Sequence, residues 1–318
     1  MSPKQPAAPV SGPTPDNAAF GAVAGIVAFT IWALFPIYFN QFGPSVSAWE
    51  ILLHRMIWAG VTLFACVLLS NRLGRVAALF RRPRVVLALA CSALAIAGNW
   101  ATFIWAVTHA EILQSSLGYY INPLLYVFLG YCFLGERLTP LQRLAVAIAG
   151  CGVIVSLIGY GEIPWLALLL AAFFSLYGLI RKQVDIDSVT GLLMEMMLLF
   201  PIAMVWLLTL HLRGETVFMQ AGLRIDLLLI GAGIITLLPL LFFAVAARRL
   251  KLATLGLLQY IAPTGHFLIS VFLYGEAFTA ADAVTFGCIW VGLTIYTTDM
   301  WLQHRIAEQL RQTGIARQ

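Results

Sequence analysis

Charge is scarce in this chain. Asp, Glu, Lys and Arg make up 10% of its 318 residues, against 61% hydrophobic residues and a mean hydropathy of +0.90. A soluble domain carries about 25% charged and about 45–50% apolar residues. One aqueous core cannot hide such an excess of apolar surface, so the expected partner is a lipid bilayer. The motifs of catalysis are also missing. There is no His-Glu-x-x-His zinc motif, no nucleophile elbow and no Asp-rich metal cluster, so a membrane enzyme would lack its usual machinery. No P-loop is present, which excludes a primary pump within this chain. The five cysteines, Cys66, Cys91, Cys132, Cys151 and Cys288, have no paired spacing and lie in apolar segments. That excludes a zinc or disulfide framework and leaves them as small packing residues. No cofactor is expected.

Base exceeds acid, with a net charge of +5 and a pI near 9.1. Nucleic acid is not the implied partner, because the basic residues fall in alternate loops, as membrane topology demands. Ten apolar segments can be marked, near 20–38, 48–70, 84–106, 111–133, 139–158, 163–180, 188–211, 225–247, 252–274 and 279–301. The loops after the even-numbered segments hold Arg72, Arg75, Arg81, Arg82 and Arg84, then Arg137, then Arg181 and Lys182, then Arg248, Arg249 and Lys251. The opposite loops hold only Arg213 and Arg224. The expectation is an all-α polytopic membrane protein with ten transmembrane helices and both termini cytoplasmic. Residues 1–19, rich in Pro, Ala and Ser, lack a signal-peptide layout and predict a flexible cytoplasmic tail.

The chain repeats itself. Tyr120-Ile121-Asn122-Pro123, followed by Gly135-Glu136 and Thr139, returns 140 positions later as Tyr260-Ile261-Ala262-Pro263, Gly275-Glu276 and Thr279. At an offset of 145, Phe29-Thr30-Ile31-Trp32 meets Phe174-Ser175-Leu176-Tyr177, and Glu50 meets Glu195. A repeat of five spans, an odd number, must enter the membrane from the opposite side the second time. This predicts two inverted five-helix repeats, 20–158 and 159–302, followed by a C-terminal cytoplasmic tail, 303–318. A substrate site is then expected between the halves near the bilayer midplane.

Intramembrane charge marks the candidates, since a charge at mid-bilayer costs about 2.5–3.5 kcal/mol on insertion scales. Arg55 lies roughly 10 Å into the second span at 1.5 Å per residue. It can anchor a substrate carboxylate or carbonyl, or form a structural ion pair with Glu195. His54 shares a helix face with Glu50 at i, i+4; the two can form a proton-transfer pair for proton coupling or a buried hydrogen bond that fixes the helix. Asn99 and Trp100 match Arg55 in depth and suit cavity lining or interhelical glue. The fourth span carries Ser115, Ser116, Tyr119, Tyr120 and Asn122 around Pro123, and the ninth carries Gln259 and Tyr260 before Pro263. Each proline strips the donor from the carbonyl four residues back, tolerated at membrane depth only beside protein or a wet cavity. With Trp100 and Trp105, these tyrosines predict an aromatic centre suited to amphipathic ligands. Trp49 and Trp165, near span ends, are expected in the interfacial belt. Glu136 and Glu276 are expected to fix turns, and Gly118, Gly130, Gly150, Gly152 and Gly292 to allow close helix approach.

Several runs together resemble one family. Ser115 through Pro123, His54-Arg55, Gly98-Asn99-Trp100, Tyr177 through Lys182 and Gln259 through Thr264 are similar to the RarD proteins, a branch of the EamA-type drug/metabolite transporters. The resemblance extends from about Phe20 to Trp301. It implies a bacterial inner-membrane permease of two EamA repeats. It also implies an exporter of small polar or amphipathic metabolites, such as amino acids or chloramphenicol-type compounds, working by alternating access. A polytopic enzyme and a channel or scaffold without carrier activity are the alternatives. Saturable counterflow would separate them from a carrier.

Overall fold

The computed structural model describes residues 15–43, 46–69, 73–108, 112–160, 165–273 and 280–312. Among them all regular structure is helical. The helices are α1 (Pro15–Ala33), α2 (Phe35–Phe39), α3 (Ala48–Leu69), α4 (Leu73–Leu79), α5 (Pro83–Thr108), α6 (Ile112–Leu134) and α7 (Pro140–Tyr160). They continue as α8 (Trp165–Gln183), α9 (Ser188–Leu212), α10 (Leu223–Arg249), α11 (Leu252–Leu258), α12 (Ile261–Phe272) and α13 (Ala280–Gln312). Among the described residues, seven segments are long and apolar enough to cross a membrane, and α6 and α7 hold shorter apolar stretches, Gly118–Leu134 and Pro140–Val155. Large apolar side chains such as Leu87, Leu94, Phe128, Phe133, Ile158, Leu208 and Phe272 are exposed on helix faces. In water that surface would be unstable; in lipid it is solvated. This is a multi-pass membrane protein.

Local chemistry accounts for the helix ends and breaks. Thr139 Oγ1 accepts from the Gln142 N–H at 3.1 Å, and Gln142 Oε1 accepts from the Thr139 N–H at 3.3 Å. This capping box, with Pro140 at the first helical position, starts α7 as the sequence suggests. Pro36 breaks the first apolar segment into α1 and α2. Lacking an N–H, it leaves the Trp32 carbonyl without its i+4 donor. His266 on α12 fills the place, its Nε2 lying 2.9 Å from that oxygen. The two prolines of the repeat behave differently. Pro123 stays inside a continuous α6, whereas the ninth apolar segment divides at Gln259 and Tyr260 into α11 and α12. Pro201 and Pro239 also lie within helices.

The packing crosses the halves in exchanged pairs. α1 packs on α10, and its counterpart α8 packs on α5; α3 packs on α10, and α9 on α5. α6 packs on α8, and α11 and α12 pack on α1. Three contacts pair an element with its own counterpart: α3 with α9, α6 with α11, and α7 with α13. Small residues permit the last of these. A Cβ on Gly152 would come 2.9 Å from the Thr285 carbonyl, and one on Gly292 would come 2.7 Å from that of Ala145. The core between the halves is aromatic, with Phe29, Trp32, Phe174, Tyr177 and Phe243 in mutual contact.

Some expectations change. Four of the five cysteines, Cys66, Cys91, Cys132 and Cys151, are exposed on helix faces instead of packed inside. α1 begins at Pro15, and α13 runs to Gln312, ten residues past Leu302. Thr279, Glu276 and the side chains of Ser115 and Ser116 lie outside the described residues.

Candidate functional site

Arg55 is buried on α3, facing the other half. Its Nε–H donates to Thr236 Oγ1 on α10 at 2.9 Å. Three rings surround its guanidinium carbon, with centroids at 5.7 Å for Phe35, 5.2 Å for Phe39 and 5.4 Å for Trp100. Phe35 and Phe39 are one turn apart on α2, so the break at Pro36 supplies two walls of this cage. Trp100 reaches in from α5. Tyr119, half-buried on α6 with its ring 6.1 Å from that of Phe103, lies within electrostatic reach of the guanidinium. Each cation–π contact contributes about 0.5–2 kcal/mol, but none neutralises the charge.

The Arg55–Glu195 pair weighed from the sequence does not form. Glu195 accepts from Ser92 Oγ at 2.6 Å and lies 3.5 Å from Arg181 Nη1. Arg181, counted above among the loop cations, is instead fully buried at the end of α8 and also donates to the Ser188 carbonyl at 3.2 Å. A Cβ on Gly191 would collide with Arg181 Nη1, so that guanidinium packs against a glycine. Tyr177 OH, Arg181 Nε and Glu195 Oε2 in this group are buried without hydrogen-bond partners among the described residues.

Glu50 and His54 do not meet as a proton-transfer pair. The Glu50 carboxylate accepts from the Val217 N–H at 2.9 and 3.1 Å and from the Phe218 N–H at 3.0 Å. It holds the connection between α9 and α10. His54 Nδ1 accepts from Trp58 Nε1–H at 3.0 Å, and its ring packs 4.5 Å from Phe218. Its Nε2 is buried without a partner among the described residues.

A second polar group forms where α6 meets α11. Asn122 Nδ2 donates to Gln259 Oε1 at 2.5 Å, and Ser175 Oγ donates to Asn122 Oδ1. Tyr260 OH donates to the Tyr120 carbonyl at 3.1 Å, and the Tyr120 ring stands edge-on to Phe286. Asn99 Nδ2 donates to the Leu170 carbonyl at 2.9 Å and acts as glue between α5 and α8. Pro123 and Pro263 are both buried. Trp105, expected in the centre, is partly exposed, with its ring tilted against Trp165 at a centroid separation of 5.7 Å. Glu136 does more than fix its own turn. It accepts from the N–H groups of Leu252 and Ala253, capping α11 of the other half, and lies 3.7 Å from Lys182.

Arg55, Trp100 and Tyr119 are therefore brought together, and Asn122, Gln259, Tyr260 and Tyr120 form a neighbouring network. Glu50, His54 and Glu195 belong to neither. Sequence reasoning missed Thr236, Phe35, Phe39, Ser175 and Ser92. The lone hydroxyls of Ser92, Ser175 and Thr236 inside apolar helices were a usable signal; nothing in the sequence aimed Phe35 and Phe39 at Arg55.

The profile of the EamA-like transporter family matches residues 19–158. A protein called an uncharacterized transporter from Vibrio cholerae is 45% identical over 90% of this chain and 95% of its own length. Protein RarD of Escherichia coli is 42% identical over 91% of this chain and 97% of its own. A chloramphenicol-sensitive protein RarD from Pseudomonas aeruginosa is 29% identical over 93% and 98%. A protein of known crystal structure shares the fold, with a TM-score of 0.66 at 18% identity over 88% of this chain and 98% of its own.

Proposed function

We propose that this chain, which belongs to the EamA-like transporter family and groups with its RarD proteins, is a bacterial inner-membrane secondary transporter that exports a small amphipathic metabolite. Counting α6, α7 and α13 with the seven apolar segments gives ten spans, in two inverted repeats with both termini cytoplasmic. The exchanged packing pairs support that reading, because a two-fold relation between halves turns every contact of one half into a contact of the other. Alternating access rocks the halves about the site between them. No enzymatic step is assigned.

The observation that carries the reading is Arg55. A buried guanidinium bridges the two halves through Thr236, walled by three aromatic rings, with no carboxylate at ion-pair distance among the described residues. Intramembrane charges of this kind mark substrate pathways. The test is counterflow into proteoliposomes preloaded in turn with aromatic carboxylates, amino acids and amphenicols, the last because one relative is named for chloramphenicol sensitivity; one of these classes should be carried. The wild type should show saturable trans-stimulation. Arg55→Ala should abolish it at equal membrane abundance, and Arg55→Lys should restore it in part, since an ammonium lacks the planar fork of donors. Undiminished counterflow by Arg55→Ala removes this residue from the site.

A further inference from the structure

Guanidinium carries five N–H donors, and in Arg55 the Nε–H goes to Thr236. The four donors on the terminal nitrogens have no acceptor among the described residues. These nitrogens are also absent from the sealed, unpartnered polar atoms, which are His54 Nε2, Tyr177 OH, Arg181 Nε and Glu195 Oε2. The guanidinium is enclosed by the aromatic cage, with 9% of the residue's surface exposed. Acids on the described helices are engaged elsewhere. Glu50 holds two backbone N–H groups, Glu195 holds Ser92 and Arg181, and Asp226 accepts from the Met219 N–H at 2.7 Å. Glu136 caps α11. Nothing among the described residues is placed to neutralise Arg55 or to hold a substrate ammonium beside it.

Resting on the reading of Arg55 as the substrate anchor, we infer that the substrate is a net anion: one carboxylate, or a group of like charge and shape, on an apolar or aromatic body. The carboxylate takes the free fork of the guanidinium, and the body lies against Phe35, Phe39 and Trp100. Zwitterions and neutral compounds are the disfavoured classes. A zwitterion brings an ammonium that meets only ring faces and Arg55 itself, and a neutral compound leaves the buried cation uncompensated.

Four matched probes separate the classes: phenylacetate, phenylalanine, phenylacetamide and phenethylamine, tested for thermal stabilisation of the purified full-length protein. Phenylacetate should stabilise most, with phenylacetamide at least about tenfold weaker, the loss expected of one charge-assisted hydrogen bond. Arg55→Gln should abolish the preference. Where Arg55→Gln fails to fold, Arg55→Lys carries the test; it should keep the preference for the anion at about tenfold lower affinity. Equal stabilisation by phenylalanine or phenylacetamide, no stabilisation by phenylacetate, or an unchanged affinity in the variant that folds overturns the assignment. Counterflow tells the two readings apart. Arg55-dependent counterflow of a neutral or zwitterionic compound keeps the transporter and sinks the anion assignment. Arg55-dependent binding of phenylacetate with no counterflow by any probe keeps the anion site and sinks the transporter.

Discussion

Arg55 and Arg181 are both buried arginines, and the structure compensates them in opposite ways. Arg181 has a carboxylate, a carbonyl and a glycine floor; Arg55 has a hydroxyl and three rings. Removing one partner of a buried pair strands the other charge, at a cost of about 3–5 kcal/mol. Glu195→Leu and Arg181→Leu should therefore each lower thermal stability in detergent strongly, and the double variant should lose clearly less than the sum. Arg55→Leu combined with Glu195→Leu should be additive instead, because those residues share no contact. Additivity in the first pair, or mutual rescue in the second, contradicts the pairing described here.

Helix breaks place the site at the scale of the element. Pro36 ends α1 at Ala33, and the short α2 that follows carries Phe35 and Phe39 to Arg55. The orphaned Trp32 carbonyl is what ties this bend to α12 through His266. His266→Ala should cost about 1–3 kcal/mol, the penalty for a buried acceptor left unmade, and should speed amide exchange around residues 33–39. An unchanged exchange pattern would show that the bend needs no help from α12. Glu136 makes the comparable link at the start of α11. Glu136→Ala exposes two N–H groups at once and frees Lys182, so a loss of about 1–2 kcal/mol in thermal stability is expected. Loss of only a few tenths would mean that water replaces the cap.

For the whole molecule, the exchanged packing pairs and the alternation of basic loops both support the proposed topology. Single cysteines placed in a cysteine-free background, one before Phe20 and one near Gly214, should react with a membrane-impermeant reagent from opposite sides. Same-side labelling would sink the ten-span count and the inverted repeat together. The four exposed native cysteines lie on apolar helix faces, which is why they must be removed first.

What the sequence determined by itself was whatever depends on one-dimensional pattern. The apolar runs, the offset of 140 between Tyr120-Ile121-Asn122-Pro123 and Tyr260-Ile261-Ala262-Pro263, and the Thr139-Pro140 helix start are all local signals. A helix needs only its own residues to form and to end. The likeness to RarD proteins was equally legible, because it rests on runs of adjacent residues. The depth of Arg55 and Trp100 followed from counting rise along two helices, and they do meet. Partnership among the charges was not legible. Glu195 is an ion-pair candidate for Arg55 in the sequence, yet the packing of α9 against α5 brings it to Ser92 and Arg181. Glu50 shares a helix face with His54, yet a connection 167 residues away supplies better donors. Only the tertiary structure decides such contacts, because a hydrogen bond is made over about 3 Å and at a fixed angle. Helix crossings set both quantities, and the crossings come from side-chain packing between elements far apart in the chain.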